Sequence, residues 1–393
     1  MKTSLFTGPC PASETLRKVS LLLFVTLASF LGNAQELAQS APVVSPEMGE
    51  NGTVTFRIKA PEATQVQLSG NWMPFGPDGN GGFAQQMTSL EKGEDDVWSV
   101  AIPAMDPELY AYAFMVDGVR TLDPANKNIV RDGRFSTASV LYVPGPASDL
   151  YWAKTGPKGS VRAVWYESPT LGLTRRMFVY TPPGYEDSNE NYPVLYLLHG
   201  GGGDEEAWPT LGTAANILDN LINAGKAKPM LVVMTNGNPD QAAAFTVSPP
   251  VEAASAGIGG MASMQFEKSL VQDVIPYVEK HFQVKTGKEN RALTGLSMGG
   301  LQTMNTTFEN PELFDYIGVM SMGFADLSRF GINIDHSKRE QQILALKAAA
   351  PKVYWIACGK EDFLIESVVT MRAELDKHDF PYVYRESPGG HTW

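Results

Sequence analysis

Between residue 41 and about residue 145, apolar and polar residues alternate in short stretches: TVTFRIKA (53–60), TQVQLSG (64–70), VWSVAIP (97–103) and YAYAFMVDG (110–118). A period of two places alternate side chains on one face of a strand, and no helical period runs through this region. Turn-rich pieces divide the stretches, notably PFGPDGNGGF (74–83) and VDG (116–118). Short strands separated by turns at this regularity predict a small all-β, immunoglobulin-like sandwich over 41–145. Its aromatics, Trp72, Trp98, Tyr110, Tyr112 and Phe114, suit either a carbohydrate platform or the sandwich core. Core filling is the reading favoured for most of them.

The Pro/Gly/Ser-rich segment PGPASDLYWAKTGPKGS (144–160) reads as a joint, with the linker at 146–159. Beyond it the pattern changes class. Apolar, β-rich runs appear at RRMFVYTP (175–182), YPVLYLLHG (192–200), PMLVVMTNG (229–237), NRALTGLS (290–297), FDYIGVMSMG (314–323) and KVYWIACG (352–359). Helical stretches alternate with them: AANILDNLINAGKA (214–227), EKSLVQDVIPYVEKHF (267–282) and LIESVVTMRAELDKHD (364–379). Near-continuous apolar strands separated by helices predict an α/β domain over 160–393, with a doubly wound, mostly parallel sheet covered on both faces.

In such sheets the chemistry gathers beyond the carboxyl ends of the strands. The stretch TGLSMGG, Thr294 to Gly300, sits between a strand end and the helix-like MGGLQTMNTTFEN. The pattern G-x-S-x-G is cheap as a string, but at a strand-to-helix turn it marks Ser297 as a candidate nucleophile. A serine hydroxyl needs a base to take its proton. His281 and His378 lie at helix ends and His336 in the polar loop DHSKRE, where solvated roles suit them. His391, in a Gly389-Gly390-His391 turn after the last strand PYVYRESP, follows Ser297 in the order Ser…Asp…His and is the candidate base. Asp362, from the turn after KVYWIACG, is the candidate acid that orients it. Asp326 is its rival, and Glu361 reads as a solvated neighbour.

A tetrahedral intermediate also needs hydrogen-bond donors. The backbone N–H of Met298 follows the nucleophile and opens a helix. The second donor is expected from the glycine run of LLHGGGGDEE, directly after an apolar strand, and is assigned to Gly201 with Gly200 and Gly202 as neighbours. His199 is expected to anchor this loop by hydrogen bonding. Trp208, Phe245, Met264 and Phe324 are candidates for lining a substrate pocket, each equally suited to the core.

The formal net charge of −12 argues against nucleic acid and anionic membrane surfaces as partners. Arg17 and Lys18 precede the apolar run VSLLLFVTLASFL, with the small residues Gly32-Asn33-Ala34 beyond it, so residues 1–34 read as a cleaved signal peptide and the protein as exported, periplasmic or extracellular. Val19–Leu31 falls short of the roughly 20 residues a membrane span needs. Cleavage removes Cys10 and leaves Cys358, in the apolar run VYWIAC, as a buried structural thiol without an internal disulfide partner. No Cys/His cluster has zinc spacing, and no phosphate-loop pattern opens a helix, so neither a metal nor a nucleotide cofactor is expected.

YPVLYLLHGGGGDE, GLSMGG, GKEDF and GGHTW together resemble the esterase D-like branch of carbohydrate esterase family 1, which comprises feruloyl esterases, acetylxylan esterases and relatives. The likeness covers about residues 160–393, and the four motifs occur in the family's order. More loosely, residues 41–145 resemble the early-set modules of carbohydrate-binding family 48. The resemblance implies hydrolysis of hydroxycinnamoyl esters, chiefly ferulate, on arabinoxylan, through an acyl-enzyme and without a cofactor. Acetylxylan esterase and siderophore (enterochelin-type) esterase are the enzymatic alternatives, and a glycan-binding protein with a degenerate hydrolase domain is the non-enzymatic one. It also implies a helix after the histidine, whereas the sequence stops at Trp393, so a further helix is expected beyond this end. Every candidate catalytic residue lies after residue 145, so the sandwich is expected to be dispensable for small soluble esters.

Overall fold

The computed structural model describes residues 43–77, 83–132, 136–244, 263–326 and 337–392. The expected leader, His336, Phe245 and Trp393 lie outside the described residues. Among those described, no helix is long and apolar enough to cross a membrane.

The first part is built from antiparallel sheets. Strands Glu47–Met48, Val54–Lys59, Val97–Ile102 and Glu91–Lys92 pair in that order in one. A second runs Ile129–Asp132, Ser136–Tyr142, Leu109–Val116, Val66–Gly70 and Thr88–Ser89, with Val119–Thr121 also pairing to Leu109–Val116, and a third pairs Phe75–Pro77 with Phe83–Gln85. The alternation read in TVTFRIKA sends Val54, Phe56 and Ile58 inward, where they join a core with Val66, Leu68, Trp98, Tyr112, Phe114 and Leu141. Trp72 and Tyr110 pack against this core half-buried, so the rings serve mainly as filling. Their polar ends are satisfied inside: Trp98 Nε1 donates to the Ala60 carbonyl at 3.0 Å, and the Tyr112 hydroxyl to Asp123 at 2.7 Å.

The second part is an eight-stranded sheet: β1 (Ser160–Ser168), β2 (Leu173–Thr181), β3 (Val194–Leu198), β4 (Leu231–Thr235), β5 (Arg291–Leu296), β6 (Tyr316–Met320), β7 (Val353–Gly359) and β8 (Val383–Ser387). Their order is β1-β2-β4-β3-β5-β6-β7-β8. From β4 to β8 all neighbours are parallel, while β1, β2 and β4 pair antiparallel. Strand β1 carries no clear signal in the sequence, because it lies at the sheet edge and exposes most of its side chains. Successive residues of β3 serve opposite faces, with Val194, Tyr196 and Leu198 in one apolar core and Leu195 and Leu197 in another. A sheet covered on both faces needs such continuously apolar strands.

Helices α1 (Ala207–Thr210) and α2 (Ala214–Asn223) follow β3. The stretch read as one helix near 267–282 is α3 (Gln265–Ser269), a π turn at Leu270–Val274, and α4 (Ile275–His281). The wider turn sits where Pro276 withholds a backbone donor. Helix α5 (Met298–Glu309) is buried along most of its length behind β5, and α7 (Ile365–Lys377) follows β7. Helix α6 (Arg339–Ala349) was not foreseen, since it buries only Ile343 and Leu346 and so shows a thin apolar stripe. Val130 and Ala138 of the sandwich meet Leu211, just after α1, in a small apolar cluster joining the two parts.

Candidate active site

Ser297 lies in one residue of backbone between β5 and α5, at φ 55° and ψ −112°. This conformation is costly for a residue with a Cβ, and the surroundings over-determine it. The Ser297 N–H donates to the Met320 carbonyl at 2.8 Å, tying the turn to β6. The flanking glycines let backbones touch: a Cβ on Gly295 would stand 2.2 Å from the Gly299 carbonyl, and one on Gly299 would stand 2.6 Å from the Leu198 carbonyl oxygen. The turn thus presents the hydroxyl at the carboxyl end of the central strand.

Three side chains from separate loops meet there. His391 Nε2 is 2.8 Å from Ser297 Oγ, and its Nδ1 is 2.9 and 3.0 Å from the two Asp362 oxygens. With a carboxylate on Nδ1, the ring proton belongs there, and the Nε2 lone pair accepts from the serine hydroxyl. Asp362 is 2% exposed, and its Oδ1 also accepts the Leu364 N–H at 2.8 Å. Burial alone would raise its pKa, but hydrogen bonds from His391, the Leu364 N–H and Ser321 outweigh burial and hold the carboxyl below its ordinary range. His391 therefore turns to Asp362 rather than to Asp326.

Glu361 is exposed, as a solvated neighbour would be, but it has a further role. It braces the histidine loop: its carboxylate accepts the Gly389 N–H at 2.6 Å, and its own N–H donates to the Gly389 carbonyl at 3.1 Å. A Cβ on Gly359 would lie 2.2 Å from that carbonyl oxygen, so a glycine is needed where the two loops cross. Cys358 is a buried thiol, pushed up to about 12 first by burial and then by the nearby Asp362 charge, which suits a structural role.

The glycine run forms a turn over residues 200–203. Gly203 N–H donates to the Gly200 carbonyl at 3.1 Å, and Gly202 takes a φ of 81°, the positive value a type II turn needs at its third residue. The turn lies against the elbow, since a Cβ on Gly200 would be 3.6 Å from the Ser297 Cβ. Gly201, at the turn's second position, keeps its N–H out of the turn's own bond. The Met298 N–H opens α5 and has no acceptor within that helix. His199 is fully buried, donating from Nδ1 to the Gly200 carbonyl at 2.8 Å and accepting the Gly237 N–H on Nε2 at 2.8 Å. Burial, against weaker raising effects, lowers its pKa to about 4. It anchors the loop as a neutral ring.

Three of the pocket candidates lie within the described residues. Trp208 packs on the core that holds Leu197 and Leu218. Phe324 carries the Arg339 guanidinium 3.8 Å from its ring centre, and Met264 stands at the N-cap position of α3 without a capping side-chain bond. The aromatic beside the histidine is one that sequence reading passed over: Phe363, with ring centres 4.4 Å apart. Its position next to Asp362 and its apolar character in a polar turn were the available signals. Among the described residues, no group of three or more His, Cys, Asp or Glu side chains is arranged to hold a metal ion.

A mostly parallel sheet with a serine elbow at its central strand defines the α/β-hydrolase class. The Esterase family model, described as a putative esterase, matches residues 168–393, and the chain belongs to that family. A Xylanibacter ruminicola protein described as an endo-1,4-beta-xylanase/feruloyl esterase is 35% identical over 284 residues, 71% of this chain but 36% of that protein. The chain thus spans about a third of that relative's length. The CE1 ferulic acid esterase of Anaeromyces mucronatus superposes with a TM-score of 0.51 at 26% identity, covering 62% of this chain and 90% of that one. The enterobactin esterase of Shigella flexneri, at 17% identity, shares the fold over 86% of this chain and 88% of its own, with a TM-score of 0.60.

Proposed function

We propose that the protein is exported and releases ferulate and related hydroxycinnamates from arabinoxylan, through an acyl-enzyme on Ser297. The observation that carries the chemistry is the continuous hydrogen-bond line from Ser297 Oγ through His391 to Asp362, at 2.8 and 2.9 Å. The substrate class is supported by the likeness to the xylanase/feruloyl esterase and to the fungal ferulic acid esterase.

In this reading Ser297 Oγ attacks the ester carbonyl carbon while its proton passes to His391 Nε2. The carbonyl oxygen becomes an oxyanion held by the N–H groups of Met298 and Gly201. The intermediate collapses, the carbon–oxygen bond to the sugar breaks, and the imidazolium returns the proton to the leaving oxygen. A water then loses its proton to His391, attacks the acyl-enzyme, and frees ferulate and the Ser297 hydroxyl. Asp362, held ionised, stabilises the imidazolium in both halves. The sandwich is the candidate glycan-binding part.

A substrate comparison tests this proposal. Feruloylated xylo-oligosaccharide should be turned over faster than acetylated xylan, with a catecholate trilactone untouched. Faster deacetylation, or cleavage of the trilactone alone, would contradict the feruloyl reading and favour one of the other two esterases.

A further inference from the structure

The glycine turn runs directly into Asp204, Glu205 and Glu206, an acidic stretch whose first two members are buried instead of solvated, each 1% exposed. Carboxylates in such a place need positive partners. One comes from the sheet: Arg176 of β2 donates to Glu205 at 2.9 Å and to Glu206 at 2.7 Å. Glu205 also accepts the Asn236 side-chain amide at 3.0 Å and the Ala244 N–H at 2.7 Å.

The other partner comes from the sandwich. Arg131, in strand Ile129–Asp132, keeps only 10% of its side chain exposed and pairs with both Asp204 oxygens. It also donates to Glu206 Oε2 from Nε at 3.3 Å and from Nη2 at 3.2 Å. Asp204 Oδ1 in turn accepts the Glu206 N–H at 3.0 Å, which folds the acidic stretch around the guanidinium. Val130, next to Arg131, packs on Leu211 and holds the strand against α1. Glu206 is therefore shared between a cation of the sheet and a cation of the sandwich. Among the described residues, Arg131 is the cation that pairs with the Asp204 carboxylate.

We propose that Arg131 is a positioning residue for the oxyanion turn, so that the sandwich takes part in the turnover of even small esters. The inference rests on the reading of Gly201 as an oxyanion donor. Without the guanidinium, the buried Asp204 and the partly exposed Glu206 are left as negative charge in excess of Arg176, and the stretch relaxes toward water. The turn at 200–203 adjoins it in the chain and shifts with it, drawing the Gly201 N–H away from where the oxyanion forms. An oxyanion donor acts on the transition state more than on bound substrate, so its displacement lowers kcat with little change in KM.

The test uses the full chain with Arg131→Met, which keeps the bulk and removes the charge, and with Arg131→Lys, which keeps the charge but loses the planar fork. On methyl ferulate, R131M is expected to lose kcat by about 10- to 100-fold, with KM within about threefold of wild type. Affinity for a trifluoromethyl ketone analogue, which forms an oxyanion adduct with the serine, should fall in parallel, while inhibition by free ferulate stays unchanged. R131K should lie between the two. A folded R131M with wild-type kcat and analogue affinity overturns the proposal; so does a loss of melting temperature with no change in either. Should R131M fail to fold, R131K decides, and wild-type kcat and analogue affinity there overturn the proposal. Ser297→Ala, measured alongside, separates the failures: turnover surviving in S297A overturns the site itself, whereas a dead S297A beside an unaffected R131M overturns only the role of Arg131.

Discussion

The ring centres of Phe363 and His391 lie 4.4 Å apart with their planes inclined by 45°, yet Phe363 is 62% exposed. A phenylalanine that packs on the His391 imidazole and still faces solvent is not core filling. It packs on the ring and leaves an exposed aromatic surface beside His391.

Phe363→Ala is accordingly expected to raise KM for methyl ferulate by about 3- to 10-fold, the range that one aromatic contact supplies. A small aryl acetate, with no ring on its acyl side, should change much less. Steady-state kinetics on both esters check this. Equal losses on the two would mean that Phe363 acts on His391 and not on the acyl group.

The parts of this site that were legible in sequence share one property: each has a local signature. The elbow shows as glycines around Ser297 between an apolar strand and a helix, and Gly200–Gly203 follows β3 directly. Asp362 and His391 each follow a strand in a glycine-bearing turn. What stayed hidden depends on pairing across the chain. Arg131 meets Asp204 across 73 residues, and nothing near either one announces the other. Glu361's bracing role stayed hidden because its partner is a backbone N–H 28 residues away. Edge strand β1 and helix α6 were missed for a related reason, since a mostly exposed element carries little of the apolar period on which sequence reading depends.

His199 makes the fold acid-sensitive in a definite window. Its ordinary pKa of 6.5 falls to about 4 in the buried site, so between those values the unfolded chain binds a proton that the folded one does not. Stability contributed by the neutral ring is complete above 6.5 and is lost progressively as pH falls toward about 4, by on the order of 3 kcal/mol. Urea unfolding of wild type and His199→Gln at pH 7 and pH 4.5 measures the difference. Wild type should lose more stability between the two conditions than the variant, and equal losses would contradict a buried neutral histidine.

The central claim is that Ser297, activated by His391 and Asp362, carries the acyl group. The most direct measurement is ferulate release from methyl ferulate by purified wild type and Ser297→Ala. The change removes one hydroxyl, so the variant should keep the wild-type circular dichroism while kcat falls by about 10⁶-fold, as in serine hydrolases that lose their nucleophile. A folded S297A that retains more than about a tenth of the wild-type rate would contradict the account.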